Sequence, residues 1–128
     1  MEIVIRNPVQ DVYRTDGDRL HTVEVREARR TLYVSGTMGL EVDGRPGASL
    51  DRQLDLIWSN IDVILGSADM TVDNIVRVTS YLRDASYAEA NAAARVAALG
   101  GRAVATTAVV VETLVSEWLV EVEVIASA

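Results

Sequence analysis

An α+β fold, one sheet with two helices packed on one face, is what the periodicities of this chain predict. Several short runs rich in β-branched residues read as strands, among them residues 75–82 and 106–111. Leu50, Leu54, Ile57, Ile61 and Leu65 recur at steps of three and four, the spacing of one helical face. Residues 86–99 are alanine-rich and end at Gly100-Gly101, the composition and stop signal of a second helix.

Taken in order, residues 2–6 form a short strand, and the polar stretch through Asp11, Asp16, Gly17 and Asp18 a loop. Residues 22–26 and 31–35 are β-rich runs separated by Glu27-Ala28-Arg29-Arg30, a pattern that predicts a hairpin. Residues 42–47 hold the densest cluster of turn formers. Ser49 or Asp51 caps the long helix, with Trp58 beside its stripe packing against the sheet or a partner. A strand over 75–82, the second helix, and a closing hairpin of 106–111 with 118–126 complete the expectation.

Composition bounds the function. A chain of 128 residues fits one domain spanning 1–128, and neither a proline-rich linker nor an internal repeat divides it. With no cysteine and a single histidine, His21, there is no thiolate nucleophile and no metal-ligand cluster. A formal charge of −7 with dispersed acids opposes binding to a phosphate backbone, so nucleic acid is not an expected partner. No apolar run approaches the roughly 20 residues of a membrane span and the first residues do not resemble a targeting signal, so a cytoplasmic location is expected.

The last strand carries the candidate chemistry. In Leu119-Val120-Glu121-Val122-Glu123-Val124-Ile125, the valines form one apolar face while Glu121 and Glu123 share the other with Leu119 and Ile125. Two readings follow: a solvated face of an antiparallel sheet, or a carboxylate in a partly dry pocket or subunit seam, where desolvation favours the protonated form and suits proton transfer. Helices on one face leave the other face of the sheet uncovered, and self-association is the economical way to cover it.

Other groupings read as structure. His21 near Glu24 is an exposed strand pair, Asp51, Asp55 and Asp62 form a solvated helix face, and Met38 and Met70 fill the core.

Five segments together resemble one family. They are Tyr33-Val34-Ser35-Gly36-Thr37; Gln53 with Asn60 on the long helix; residues 76–84; Tyr87-Ala88-Glu89-Ala90-Asn91; and residues 119–126. In order and spacing they are similar to the Rid (YjgF, reactive-intermediate deaminase) family. The resemblance implies a chorismate-mutase-like subunit with a mixed sheet, a homotrimer with a trimeric barrel core, and clefts between subunits. It implies hydrolysis of reactive imines or enamines, with no metal or cofactor. The alternative is a trimeric protein that binds a small metabolite in the same cleft without chemistry; a ribonuclease, as some relatives are labelled, ranks last for so acidic a chain.

By that resemblance Glu121 is the catalytic glutamate that positions water, Asn91 opens the second helix, and Ser35 and Gly36 form the turn at the cleft, while Glu123 makes a partner at the subunit seam. Thr106 stands fifteen residues before Glu121, where the archetypal carboxylate-binding arginine belongs, and a threonine cannot make a charged bidentate pair. Arg102, four residues earlier, resembles the arginine of divergent members. The Thr106 hydroxyl and the Ala108 N–H then orient the substrate through neutral hydrogen bonds.

Overall fold

The apolar stripe around Ile57 and the alternating valines around Val122 meet in one core, which a computed structural model describes for residues 1–15 and 17–128; Asp16 of the expected loop lies outside the described residues. The chain forms β1 (Glu2–Ile5), β2 (Arg19–Leu20), β3 (Val23–Arg26), β4 (Thr31–Met38), α1 (Leu50–Gly66), β5 (Ile75–Leu82), α2 (Ala88–Ala98), β6 (Val104–Val110) and β7 (Val120–Ser127). Five strands make a mixed sheet in the order β2-β6-β5-β7-β4, and β1 pairs with β3 in a separate two-stranded sheet.

Each helix starts and stops for a local reason. Ser49 caps α1, its hydroxyl accepting from the Arg52 N–H at 3.1 Å. Ile57, Ile61 and Leu65 are fully buried, each contributing about 1.5–3 kcal/mol of transfer free energy. Trp58 is buried with them, and Asp51, Asp55 and Asp62 face solvent. Met70 is a core residue, whereas Met38 is only half-buried, in a groove beside β4. Beyond α2, Gly100 and Gly101 take φ of +62° and +82°, a left-handed exit that a side chain would strain.

Both expected hairpins are corrected. β3 does not pair with β4: the Arg29 and Arg30 N–H groups donate to the Ala128 carbonyl, and the Ala128 N–H to that of Arg30. The C-terminus therefore takes the bonds a hairpin would have used, and β4 runs antiparallel to β7 instead. Nor do β6 and β7 pair, because β5 lies between them, parallel to β6 and antiparallel to β7. The connection after β6 crosses the end of β5, with Val111 N–H bonded to Leu82 O and Arg83 N–H to Leu119 O. α2 supplies the crossover a parallel β5-β6 pair requires.

The helices cover one face of the sheet. Val78, Ser80 and Leu82 of β5 and Val120, Val122 and Val124 of β7 point into the core. Arg77, Thr79 and Tyr81 share the open face with Glu121, Glu123 and Ile125. Leu119, expected on that open face, instead packs against the core, since its N–H donates to Gln53 Oε1 at 3.0 Å before β7 begins. Among the described residues, no helix is long and apolar enough to cross a membrane.

Candidate functional site

Glu121 sits on the open face of β7, directly opposite Tyr81 of β5 and Met38 of β4. The β4-β7 register slips between Val34 and Thr37, so Ser35 and Gly36 form a bulge next to Glu121. Gly36 leaves room for that carboxylate: a Cβ built there would lie 2.8 Å from Glu121 Cδ and closer still to Oε1. The side chain of Glu121 is thus seated across the bare backbone of β4.

A second carboxylate is tied to a phenol beside it. Tyr81 Oη donates to Glu123 Oε1 at 2.5 Å, a diagonal cross-strand contact. That hydrogen bond, then burial, then the charges of Glu123 and Glu121 hold the Tyr81 phenol above the ordinary tyrosine range, with Arg77 pulling the other way. In an alkaline absorbance titration, the phenolate signal missing from Tyr81→Phe is expected above the range of free tyrosine. Glu123→Gln should bring it down; a signal that does not move would remove Glu123 as its cause. Glu121, Glu123, Tyr81, Gly36 and residues 111–114 line a cavity of about 310 Å³.

The other expected site residues fall elsewhere on the protomer. Thr106 and Ala108 of β6 line a polar cavity of about 320 Å³ with Tyr13, Arg19, His21, Arg77 and Thr107. The Thr106 hydroxyl donates to Val104 O at 3.0 Å and keeps its lone pairs for a ligand. Ser35 faces a groove of about 800 Å³ between β4 and α1, with Val42 and Val63 exposed on its walls. Arg102 Nη2 donates to Val72 O at 2.8 Å, which ties it to the turn at Val72–Asn74. Asn91 is 4% exposed on α2, on the helix side of the sheet, and its Oδ1 has no partner. One protomer therefore brings Glu121 to Gly36 and Thr106 to Ala108, and leaves Arg102 and Asn91 apart from both pairs.

Sequence reasoning missed Tyr81, Arg77 and the loop that brings Tyr13 and His21 to β6. Arg77, Thr79 and Tyr81 alternate along β5, a polar face visible at period two. The loop carries no such signal: it is closed by the His21 N–H on Asn7 Oδ1 at 2.8 Å and by His21 Nε2 at 2.7 Å from Tyr13 O. Gln53 and Asn60 serve the scaffold, Asn60 bonding Leu40 O at 3.1 Å and Gln53 bonding Gly47 O and Glu117 O.

Comparison with known proteins agrees with the fold. A solved structure from Yersinia pestis, described as a protein of unknown function of the conserved Rid family, YyfB, superposes with a TM-score of 0.85 at 25% identity over 100% of both chains. Rv2704 of Mycobacterium tuberculosis, a member of the YjgF/YER057c/UK114 family, gives 0.67 at 26% identity over 85% of this chain and 86% of its own. The RutC family protein YjgH of Escherichia coli K12 is 38% identical over 53 residues, 41% of this chain and 40% of the relative, so that match spans well under half of either. The endoribonuclease L-PSP family model matches residues 20–128, and the chain belongs to that family, the Rid/YjgF proteins.

Proposed function

We propose that this protein is a Rid-type enzyme that hydrolyses a reactive imine or enamine in a cleft completed between copies of the chain in a homotrimer. The observation that carries the reading is the seating of Glu121, a half-buried carboxylate laid across Gly36 on the face of the sheet opposite the helices. A carboxylate so held is a positioned base for one water molecule. The water oxygen bonds to the C=N carbon as its proton passes to Glu121, and the π pair moves to nitrogen. Proton return to nitrogen gives a carbinolamine; Glu121 then takes the proton of the new hydroxyl and delivers it to nitrogen, so that the C=O bond forms as the C–N bond breaks, giving a carbonyl compound and ammonia. Imine plus water balances these products with no redox partner.

In this reading Thr106, Ala108, Ser35 and Gly36 orient the substrate, Asn91 supports the cleft from α2, and Arg102 is the candidate for a charged contact. A second reading, a trimer that binds a metabolite without turnover, is favoured by Thr106 at the archetypal arginine position and by Arg102 bonded to Val72 O. The ribonuclease activity in the family description suits a chain of charge −7 least.

The test couples an amino-acid oxidase, which makes imines in place, to this protein, and follows the keto acid against trapping of the imine. Glu121→Gln is expected to lower turnover at least about 100-fold while the oligomer and melting curve stay as in wild type. Unchanged turnover would end the catalytic role of Glu121; no turnover by wild type would favour the binder.

A further inference from the structure

We infer that Tyr81 is a positioning residue for the proposed chemistry: by holding Glu123 it leaves Glu121 as the one carboxylate free to take hold of water. The inference rests on the reading above and explains why one of two like acids carries the role. Glu121 and Glu123 stand two residues apart on one face of β7, so their Cβ atoms are roughly 7 Å apart, and both line the cavity of about 310 Å³. Two loose carboxylates at that spacing reach for the same water from different directions, and only one direction suits attack on a given carbon. Some contact has to tell them apart.

The strand register supplies it. Tyr81 stands directly opposite Glu121, and Thr79 opposite Glu123, yet the phenol passes over its direct neighbour and donates diagonally to Glu123 Oε1 at 2.5 Å. A bond that short to a carboxylate is of the strong, charge-assisted kind, and it fixes where the Glu123 head group lies. Glu121 is placed by shape instead. Its carboxylate lies across Gly36, and among the described residues it accepts no side-chain hydrogen bond and joins no ion pair, so its lone pairs remain available to water. The other charged and titratable groups about this face have different partners or none. Arg77 of β5 donates to Thr107 Oγ1, and Arg83 donates to Thr113 O. Glu112 lines the cavity from the connection after β6, and Tyr33 of β4 is 76% exposed. The Tyr81 hydroxyl is therefore the one side-chain hydrogen bond, among the described residues, that distinguishes the two glutamates.

Tyr81→Phe keeps the ring and removes only the hydroxyl. In the oxidase-coupled assay it is expected to lower kcat at least about tenfold and to leave KM within about twofold, because the substrate's own contacts are untouched. Removing the released competitor gives the decisive comparison. Tyr81→Phe combined with Glu123→Val should recover most of the lost kcat, whereas two purely structural losses would add. Tyr81→Phe with the kcat of wild type, or a double variant no faster than Tyr81→Phe, would overturn the inference; melting curves report whether each variant folds. Crystallography reads the positioning without turnover. In crystals of Tyr81→Phe the Glu123 carboxylate is expected to leave its wild-type place while Glu121 stays across Gly36, and a Glu123 that stays put would overturn the inference even if kcat fell. Glu121→Gln separates the two claims. If it abolishes turnover while Tyr81→Phe matches wild type, the base stands and the positioning falls. If wild type turns over no imine yet Glu123 moves in the Tyr81→Phe crystals, the enzyme reading fails and the hold of Tyr81 on Glu123 stands.

Discussion

Gly39→Ala is expected to destabilise the protein by about 3 kcal/mol or more, read as a fall in the urea midpoint at fixed protomer concentration. Gly39 follows β4 where the first turn of α1 crosses it, and a Cβ built there would lie 2.5 Å from Gln53 Cα and Cβ and nearer still to its carbonyl oxygen. The obstacle is backbone, and it is locked. The Gln53 N–H bonds to Ser49 O at 2.9 Å, its side-chain amide bonds to Gly47 O at 3.0 Å and Glu117 O at 2.9 Å, and its Oε1 accepts from Leu119 N–H. Gly39 is fixed in turn, its carbonyl accepting from Gly47 N–H at 2.8 Å. Relief of the clash would have to move α1 away from β4 and break several of these bonds, which places the cost at the upper end of overpacking in a core. A midpoint within experimental error of wild type would show that this contact yields.

Gly36 makes the informative comparison, because the same added methyl meets the mobile end of Glu121 instead of backbone. Gly36→Ala should cost less than about 1 kcal/mol of stability. Its effect falls on the carboxylate, which loses its seat, and turnover is expected to drop at least about tenfold if the proposed chemistry is correct. A stable variant with undiminished turnover would mean that the seat is irrelevant.

What the sequence made legible was faces. The α1 stripe, the limits of β5 and the valine alternation of β7 follow from side-chain period alone, because burial on one side of an element leaves a direct mark on residue choice. Neighbours left no such mark. β3 and β4 read as a hairpin because both are β-rich and close in sequence, yet backbone bonds from Arg29 and Arg30 to Ala128, at the far end of the chain, decide their partners. The site divides in the same way. Glu121 stood out as an acid among valines, whereas Arg77 and Tyr81 acquire meaning only from a register that sets Tyr81 opposite Glu121 and Arg77 beside Thr107.

Asp18→Ala should cost about 3 kcal/mol, and Arg95→Met at the other end of the same pair should cost about 1 kcal/mol or less. The Arg95 side chain is 5% exposed on α2, with Nη2 on Asp18 Oδ2 at 3.0 Å and Nη1 on Asp18 O at 2.7 Å, while the Asp18 side chain is 33% exposed. Removing the carboxylate strands a buried guanidinium that keeps a single carbonyl, and its Nε already lacks a partner. Removing the guanidinium leaves a carboxylate that water can reach, and methionine refills most of the space along its stem. The asymmetry follows from where water is, and it matters to the cleft because Asp18 leads into β2, whose Arg19 and Leu20 wall the polar cavity. Urea unfolding of both variants reads it directly. If Arg95→Met loses more than Asp18→Ala, the cost lies in packing of the side-chain stem and not in an uncompensated charge.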